Sequence, residues 1–420
     1  MGATVGRMHS KVIPFAIVLA VLHAALAAAW AGEPPPGKRG LPARPDAEWD
    51  ELFTRAYGWT GGDVVGTVVL PDGRTLWLFG DTWVGKVARG GHAPGSHMIN
   101  NSIALHPNNV ADPGRPPSRS ELQFHWGKND GQGKPTAWIV PQDRRGWYWP
   151  TGGAGPVQCP GGKPCLAVFL FHIDKLQGRE GVWAFQSIGN TLATIDNFQE
   201  PVEQWQVRQY DVPHAISAAK AKADSTSRET NWGMALYRQR PAEGSGPDLL
   251  HIYGTRDESP LNRQLVLARV AVDAVHRSDA WRFYAGGGRW SASLKDAAPI
   301  AENAVSEFSV EEHQAHGRRW LILVHSEPVF GRRIFVRTSP SPEGPWGRPT
   351  PVYSVPDVDR NRDYFTYAAK GHLGLSPPGE LLISYVVNSH NFGSMVKDAA
   401  IYRPRFVRVP LAEVVSPGER

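Results

Sequence analysis

Five times along this chain a strongly apolar run ends in a small or polar cluster: LWLFGDT (76–82), LAVFLFHID (166–174), LLHIYGTRD (249–257), WLILVHSE (320–327) and LLISYVVNSH (381–390). Each is preceded by a turn and a weaker run rich in small residues: GDVVGTVVL (62–70), PTGGAGPVQ (150–158), NWGMALYR (231–238), SEFSVEEH (306–313) and TYAAKGHLGL (366–375). Further strand material follows, as in QLVLARVAV (264–272) and RRIFVRTS (332–339). Short β-branched and aromatic runs bounded by Gly/Pro turns read as strands. Self-similar units of several strands, recurring at long and irregular spacing, mark a β-propeller with insertions on its loops. The one helix-like stretch, 215–223, is short and alanine-rich. The expectation is an all-β chain forming a five-bladed β-propeller over residues 51–420.

The first unit sets the pattern for a site. A Pro71-Asp72-Gly73 turn joins its two strands. Antiparallel pairing then brings Asp63, before the first strand, and Asp81, after the second, to one edge. Asn100 and Asn101 should open onto the same face across the next loop. In a propeller the small-residue strand of each blade lines the central channel. Its start contributes Asp63 from blade one, Trp149 and Thr151 from blade two, and Glu229, Asn231 and Trp232 from blade three. Blade four contributes Glu307, and blade five Tyr367, Lys370 and His372.

A mouth ringed by carboxylates, amides and aromatics suits glycoside hydrolysis. One carboxylic acid protonates the leaving oxygen, and a second carboxylate activates water or attacks the anomeric carbon. Asp63 and Glu307 hold equivalent places in blades one and four and should face each other. Asp63 is expected as base or nucleophile, Glu307 as acid, and Asp81 as a third carboxylate that adjusts its neighbour. Glu229 competes with Glu307 for the acid's role. Trp59, Trp83, Trp149, Trp232 and Tyr367 offer flat rings for sugar faces, and Asn100, Asn101 and Asn231 offer amides for hydroxyls. His372 is open to three readings: a substrate contact, a satisfied buried histidine, or a ligand of a structural channel cation such as calcium. No cofactor is expected. Each candidate also has a structural reading: Asp63 and Asp81 as turn residues bonding backbone amides, Glu307 as an exposed strand residue beside Glu311 and Glu312, and Glu229 as surface.

The N-terminus reads as a secretory signal peptide over 1–31: basic Arg7 and Lys11, an apolar run over 12–22, then small residues to Ala27 and Ala31. The Pro-rich stretch that follows reads as a linker over 32–50. Secretion or export to a periplasm follows, with no membrane attachment after cleavage. The only two cysteines, Cys159 and Cys165 in CPGGKPC, fit a loop-closing disulfide in an oxidising compartment. Net charge is +5, falling to about +3 without the leader, and the basic residues are scattered. No nucleic-acid surface is indicated. A monomer acting on an oligo- or polysaccharide is expected.

The motifs GGDVVGTVVLPDGRTLWLFGDTW with MINNSIA, AVSEFSV with TSPSPEGPWG, and YAAKGHLGLSPPGELLISYVVNS resemble the five-bladed furanosidase-type propellers of the arabinanase, fructosidase and levansucrase superfamily. They are most similar to a bacterial family like the endo-D-arabinanases of cell-wall arabinan. The resemblance, from Trp59 onward, implies a secreted glycoside hydrolase acting on an arabinan-like, furanose-containing polysaccharide. It implies that Asp63 matches the superfamily's base or nucleophile, with Val64 where many members have proline. Where the superfamily often has an aspartate in blade two and a glutamate in blade three, this chain has Thr151 with aromatics, and Glu229 or Asn231. The alternative is a non-catalytic, lectin-like propeller that binds cell-wall glycan. A sialidase-like propeller is weaker, since 341–346 (SPEGPW) only loosely matches an Asp-box turn and no set of channel arginines is evident.

Overall fold

The computed structural model describes residues 43–415, apart from 110–111, 182, 242–245, 260–261 and 329. The signal-peptide expectation falls outside these residues. The fold is all-β. Five antiparallel sheets follow one another in the chain, each an up-and-down meander.

Sheet 1 comprises Gly66–Val69, Arg74–Phe79, Ser102–Pro107 and Gln123–His125, and sheet 2 Trp147–Gln158, Pro164–Lys175, Phe185–Ile195 and Val207–Asp211. Sheet 3 runs Thr230–Gln239, Leu249–Ser259, Asn262–Ala271, Arg282–Tyr284 and Trp290–Ser291. Sheet 4 runs Phe308–Ala315, Arg318–Ser326, Arg333–Ser339 and Thr350–Ser354. Sheet 5 takes Tyr364–Gly371, Glu380–Ser389 and Pro404–Pro410, and its fourth strand is Arg44–Pro45 from the other end of the chain. A small extra sheet, Tyr57–Gly62 with Thr82–Ala88, His97–Ile99 and Gly91–His92, stands beside sheet 1.

The second strand of each sheet is the apolar run seen in the sequence, and its residues are buried on both faces: Leu76–Phe79, 166–170, 250–254, 321–325 and 381–387. That follows from position, because a middle strand is covered by a sheet on either side. The first strands of successive sheets pack side by side in chain order, sheet 1 on 2, 2 on 3, 3 on 4 and 4 on 5. Sheet 5 returns to sheet 1: His372 Nδ1 lies 2.7 Å from Thr67 Oγ1. One apolar cluster joins Trp77 and Phe79 of sheet 1 to Leu382, Val386 and Phe406 of sheet 5. Similar clusters fill the spaces between sheets 1 and 2, 2 and 3, and 3 and 4.

The expected linker over 32–50 is corrected at its end. Arg44–Pro45 is a strand, and Ala47–Leu52 is a helix capped by Asp46, whose carboxylate takes the N–H groups of Glu48 and Trp49. Asp46 also pairs with Arg408. Trp49 and Phe53 lose all solvent exposure against Trp77 and Phe406. Pro-rich composition hid a segment whose aromatics find partners only in the far end of the chain.

Cys159 and Cys165 form a disulfide across their Gly-Gly turn, with Cα atoms 5.5 Å apart. Among the described residues no helix is long and apolar enough to cross a membrane.

Candidate active site

Asp63 sits where the chain leaves the extra sheet for sheet 1. The Val65 N–H donates to Asp63 O (2.8 Å), an i to i+2 bond about Val64 at φ 68°, the rare hand of γ-turn. Val65 follows at φ 52°. Two consecutive β-branched residues in the left-handed region cost on the order of 1–3 kcal/mol each. The turn is tied to the end of the next strand: Gly80 N–H donates to Asp63 O (3.2 Å) and Asp63 N–H to Asp81 O (3.4 Å). A side chain at Gly80 would place its Cβ 2.4 Å from Asp63 Oδ1. Glycine is required there so that the carboxylate can lie against the backbone.

Asp63 Oδ2 accepts two phenolic hydroxyls, Tyr367 (2.5 Å) from the first strand of sheet 5 and Tyr402 (2.8 Å) from the loop before its third. Oδ1 has no partner. Tyr402 itself stands at φ 58°, and Ala368, next to Tyr367, at φ 55°. Of nine non-glycine residues with positive φ among those described, Val64, Val65, Ala368 and Tyr402 adjoin this one carboxylate. Strain of that density gathers at functional sites.

Asp81 Oδ1 accepts Trp149 Nε1–H (2.7 Å) from sheet 2 and Asn100 Nδ2–H (3.2 Å). Glu307, just before the first strand of sheet 4, takes Lys370 Nζ at 3.0 Å on Oε2. Lys370 follows an irregularity in the first strand of sheet 5 between Tyr367 and Lys370. Its stem passes so close to Gly152 that a Cβ there would fall 2.7 Å from Lys370 Cε. Period-two alternation puts Glu307, Ser309 and Glu311 on one side of their strand, facing the ring's interior, and Glu311 accepts Leu373 N–H (2.9 Å) there. Beside Glu307 lies a cavity of about 260 Å³ lined also by Asp257, Arg263, Glu327, Phe330 and Tyr367.

Electrostatics link these groups. Burial, then the charges of Asp81 and Glu307, push the Asp63 carboxyl up to about 8, against the two tyrosine donors. Burial raises Asp81 to about 6, with Trp149 and Asn100 opposing. Burial and Asp257 raise Glu229, which takes an amide N–H of Asn231 (3.3 Å). Burial carries Glu311 up to about 7. Tyr367, which bonds Asp63, lines the same cavity as Glu307, so the two carboxylates share one end of the ring although they come from sheets 1 and 4, over two hundred residues apart in sequence.

The structure thus brings together Asp63, Asp81, Glu307, Asn100, Trp149 and Tyr367. Glu229 and Asn231 lie at the same end but group with Asp257 and Arg263. Five expected substrate contacts are corrected. Trp59 is buried and stacks on Phe124 (4.5 Å). Trp83 is buried against His92 (4.3 Å). Trp232 is core, its indole N–H on His214 O (3.0 Å). Asn101 is sealed inside, its amide bonding Ile139 and Tyr148 backbone. His372 is the satisfied buried histidine: both ring nitrogens are engaged, by Thr67 and by Ser384 Oγ (2.7 Å), and burial lowers it to about 3. With both nitrogens taken it has no lone pair to offer a cation. Among the described residues no three His, Cys, Asp or Glu side chains are grouped to hold a metal.

Sequence reasoning missed Tyr402, Arg263 and Glu311. Tyr402 carries no local signal, since it meets Asp63 only through the closing of the ring. Glu311 was hidden by the adjacent exposed Glu312.

Residues 46–411 match the family model described as a domain of unknown function, DUF5005. The chain belongs to this family. No curated protein matches its sequence. Among solved structures, a "putative hydrolase" from Bacteroides ovatus is similar over 91% of this DUF5005 chain and 95% of its own, with 20% identity and a TM-score of 0.66, which shows a shared fold. Much weaker matches to the DUF5005 chain are an exo-β-1,3-galactanase from Phanerochaete chrysosporium (8% identity, 85% of this chain and 63% of that one, TM-score 0.41) and the catalytic domain of a Coprinopsis cinerea family-62 α-L-arabinofuranosidase (11%, 84% and 97%, 0.41).

Proposed function

We propose that this DUF5005 protein is an exported five-bladed β-propeller glycoside hydrolase that cleaves a furanose-containing, arabinan-like polysaccharide with carboxylates at one end of its central channel. One observation carries the reading: Asp63, Asp81 and Glu307 converge from sheets 1 and 4 around Tyr367, which bonds Asp63 and shares a cavity wall with Glu307, while Asp63 N–H donates to Asp81 O. Strained backbone and aromatic side chains surround them. Five meander sheets packed in order, with the N-terminal strand completing the last, support the propeller. The Cys159–Cys165 disulfide supports export.

Roles follow from proton positions. Asp63 holds its proton into the neutral range, as a general acid must. Glu307 Oε2 accepts a hydrogen bond from the Lys370 ammonium, an ion pair that a base or nucleophile can draw on. The assignment is therefore the reverse of the sequence expectation: Asp63 delivers the proton to the leaving oxygen and Glu307 acts as base or nucleophile, with Asp81 tuning Asp63. Incubation with arabinans, fructans and galactans, followed by chromatography of the products, tests the function. Asp63→Asn should cut turnover by about 10³-fold or more while glycan binding persists. Glycan binding with no turnover in the unaltered protein would support the lectin-like reading instead.

A further inference from the structure

Six aromatic side chains run from one carboxylate's partner to the other's. Trp149, whose indole holds Asp81, meets Phe185 edge-on at 4.8 Å, and Phe185 meets Trp183 at 6.4 Å. Trp183 meets Phe330 at 6.4 Å and Phe330 meets Phe365 at 4.6 Å. Phe365 meets Tyr367, which holds Asp63, at 5.7 Å. One contact in this series is unlike the rest. Trp183 lies between the second and third strands of sheet 2, and Phe330 between the second and third strands of sheet 4. Sheet 3 separates those sheets in the ring, so the Trp183–Phe330 contact is a chord across the mouth.

Neither ring is placed there by core packing. Trp183 is 49% and Phe330 47% exposed, two of the five large apolar side chains left exposed among the described residues. Leaving such area in water forgoes about 25 cal/mol per Å². Phe330 also stands at φ 60°, a region aromatic residues avoid. Exposed apolar surface, at Phe330 in a strained conformation over a cavity walled by Glu307, Arg263 and Tyr367, points to a ligand. The cavity under Phe330, with Glu307 and Tyr367 in its wall, is about 260 Å³. Pockets for drug-sized ligands span roughly 300–1,000 Å³, so this space suits one sugar ring and not a length of chain.

We propose that the Trp183–Phe330 chord closes the candidate site into a pocket that admits only a glycan chain end, so that the protein removes terminal sugars one at a time. The inference rests on the glycosidase reading of the same site and adds its mode of action. In each cycle the outermost glycosidic C–O bond breaks, water supplies the hydroxyl to the anomeric carbon, and the leaving oxygen takes a proton. The two rings stack on the terminal sugar and block an internal segment from lying across the carboxylates.

Early products from debranched arabinan, levan and galactan, separated by chromatography, test it alongside solution viscosity. The smallest sugar should dominate from the first time point, with little early fall in viscosity. Trp183→Ala combined with Phe330→Ala should release longer products and thin the solution faster, and Trp183→Phe should restore the original pattern. Both positions are exposed, so circular dichroism should show an unchanged fold. Mixed-length early products from the unaltered protein, or an identical profile from the double alanine variant, overturn the proposal and leave the glycosidase reading standing. Should no polysaccharide be cleaved, tryptophan fluorescence titrated with arabinose oligomers decides. Affinity that stops rising beyond two units supports a closed pocket without the hydrolase; affinity that climbs with length, or no response, overturns the pocket too.

Discussion

Asp63 is held in a form that disfavours its own charge. Its raised value means that the folded protein binds a proton there which the unfolded chain, near 3.8, gives up. Between those values stability falls as pH rises, because the native state holds more protons. With Asp63 as proton donor, activity should likewise fall as pH climbs through about 8; a base at this position would give a rising limb, so a pH–rate profile separates the two. Asp63→Asn, for all its loss of turnover, should raise Tm by roughly 1–3 °C at pH 9 by calorimetry, since a neutral amide removes the buried charge. Gly80→Ala works in the other direction. Its methyl would meet Asp63 Oδ1 and Val64 Cγ2 inside 3 Å, so the variant should lose both activity and about 1–3 kcal/mol in urea unfolding. Lys370→Met strips the half-buried Glu307 of its cation and should cost about 1–3 kcal/mol by the same measurement.

Among elements, the strands were the most legible. Each expected strong strand overlaps an observed second strand, because a middle strand needs apolar side chains on both faces and such runs stand out in any sequence. The short helix Ala218–Ala223 was visible in its alanines. What alternation could not settle was which tryptophans face the site. Trp149 and Trp59 both neighbour glycine- or aromatic-rich segments, yet one bonds Asp81 and the other is sealed under Phe124, a residue of the edge strand Gln123–His125. The Cys159–Cys165 clip belongs to this scale. It closes a very short loop, so Cys159→Ser with Cys165→Ser should cost only about 2 kcal/mol in urea unfolding and leave glycan cleavage intact.

For the whole molecule, the ring is completed by the two ends of the chain. Arg44–Pro45 pairs with Pro404–Pro410, and the helix after it buries Trp49, Leu52 and Phe53 against sheets 1 and 5. A chain starting at residue 51 should therefore lose cooperative unfolding or melt roughly 10 °C lower than one starting at residue 43. Trp49→Ala alone should cost about 3–5 kcal/mol. The same closure sets Tyr402 on Asp63 across a separation of 339 residues.

The sequence by itself determined the five pairs of first and second strands, the cysteine clip and the approach of Asp63 to Asp81, because each follows from local alternation, turn chemistry and antiparallel pairing. Only the tertiary structure decided that Lys370 bonds Glu307, that two tyrosines clamp Asp63, that His372 and Asn101 are spent inside, and that Trp183 reaches Phe330. Those contacts join residues from different sheets, and no local period encodes which side chains meet when a ring of sheets closes.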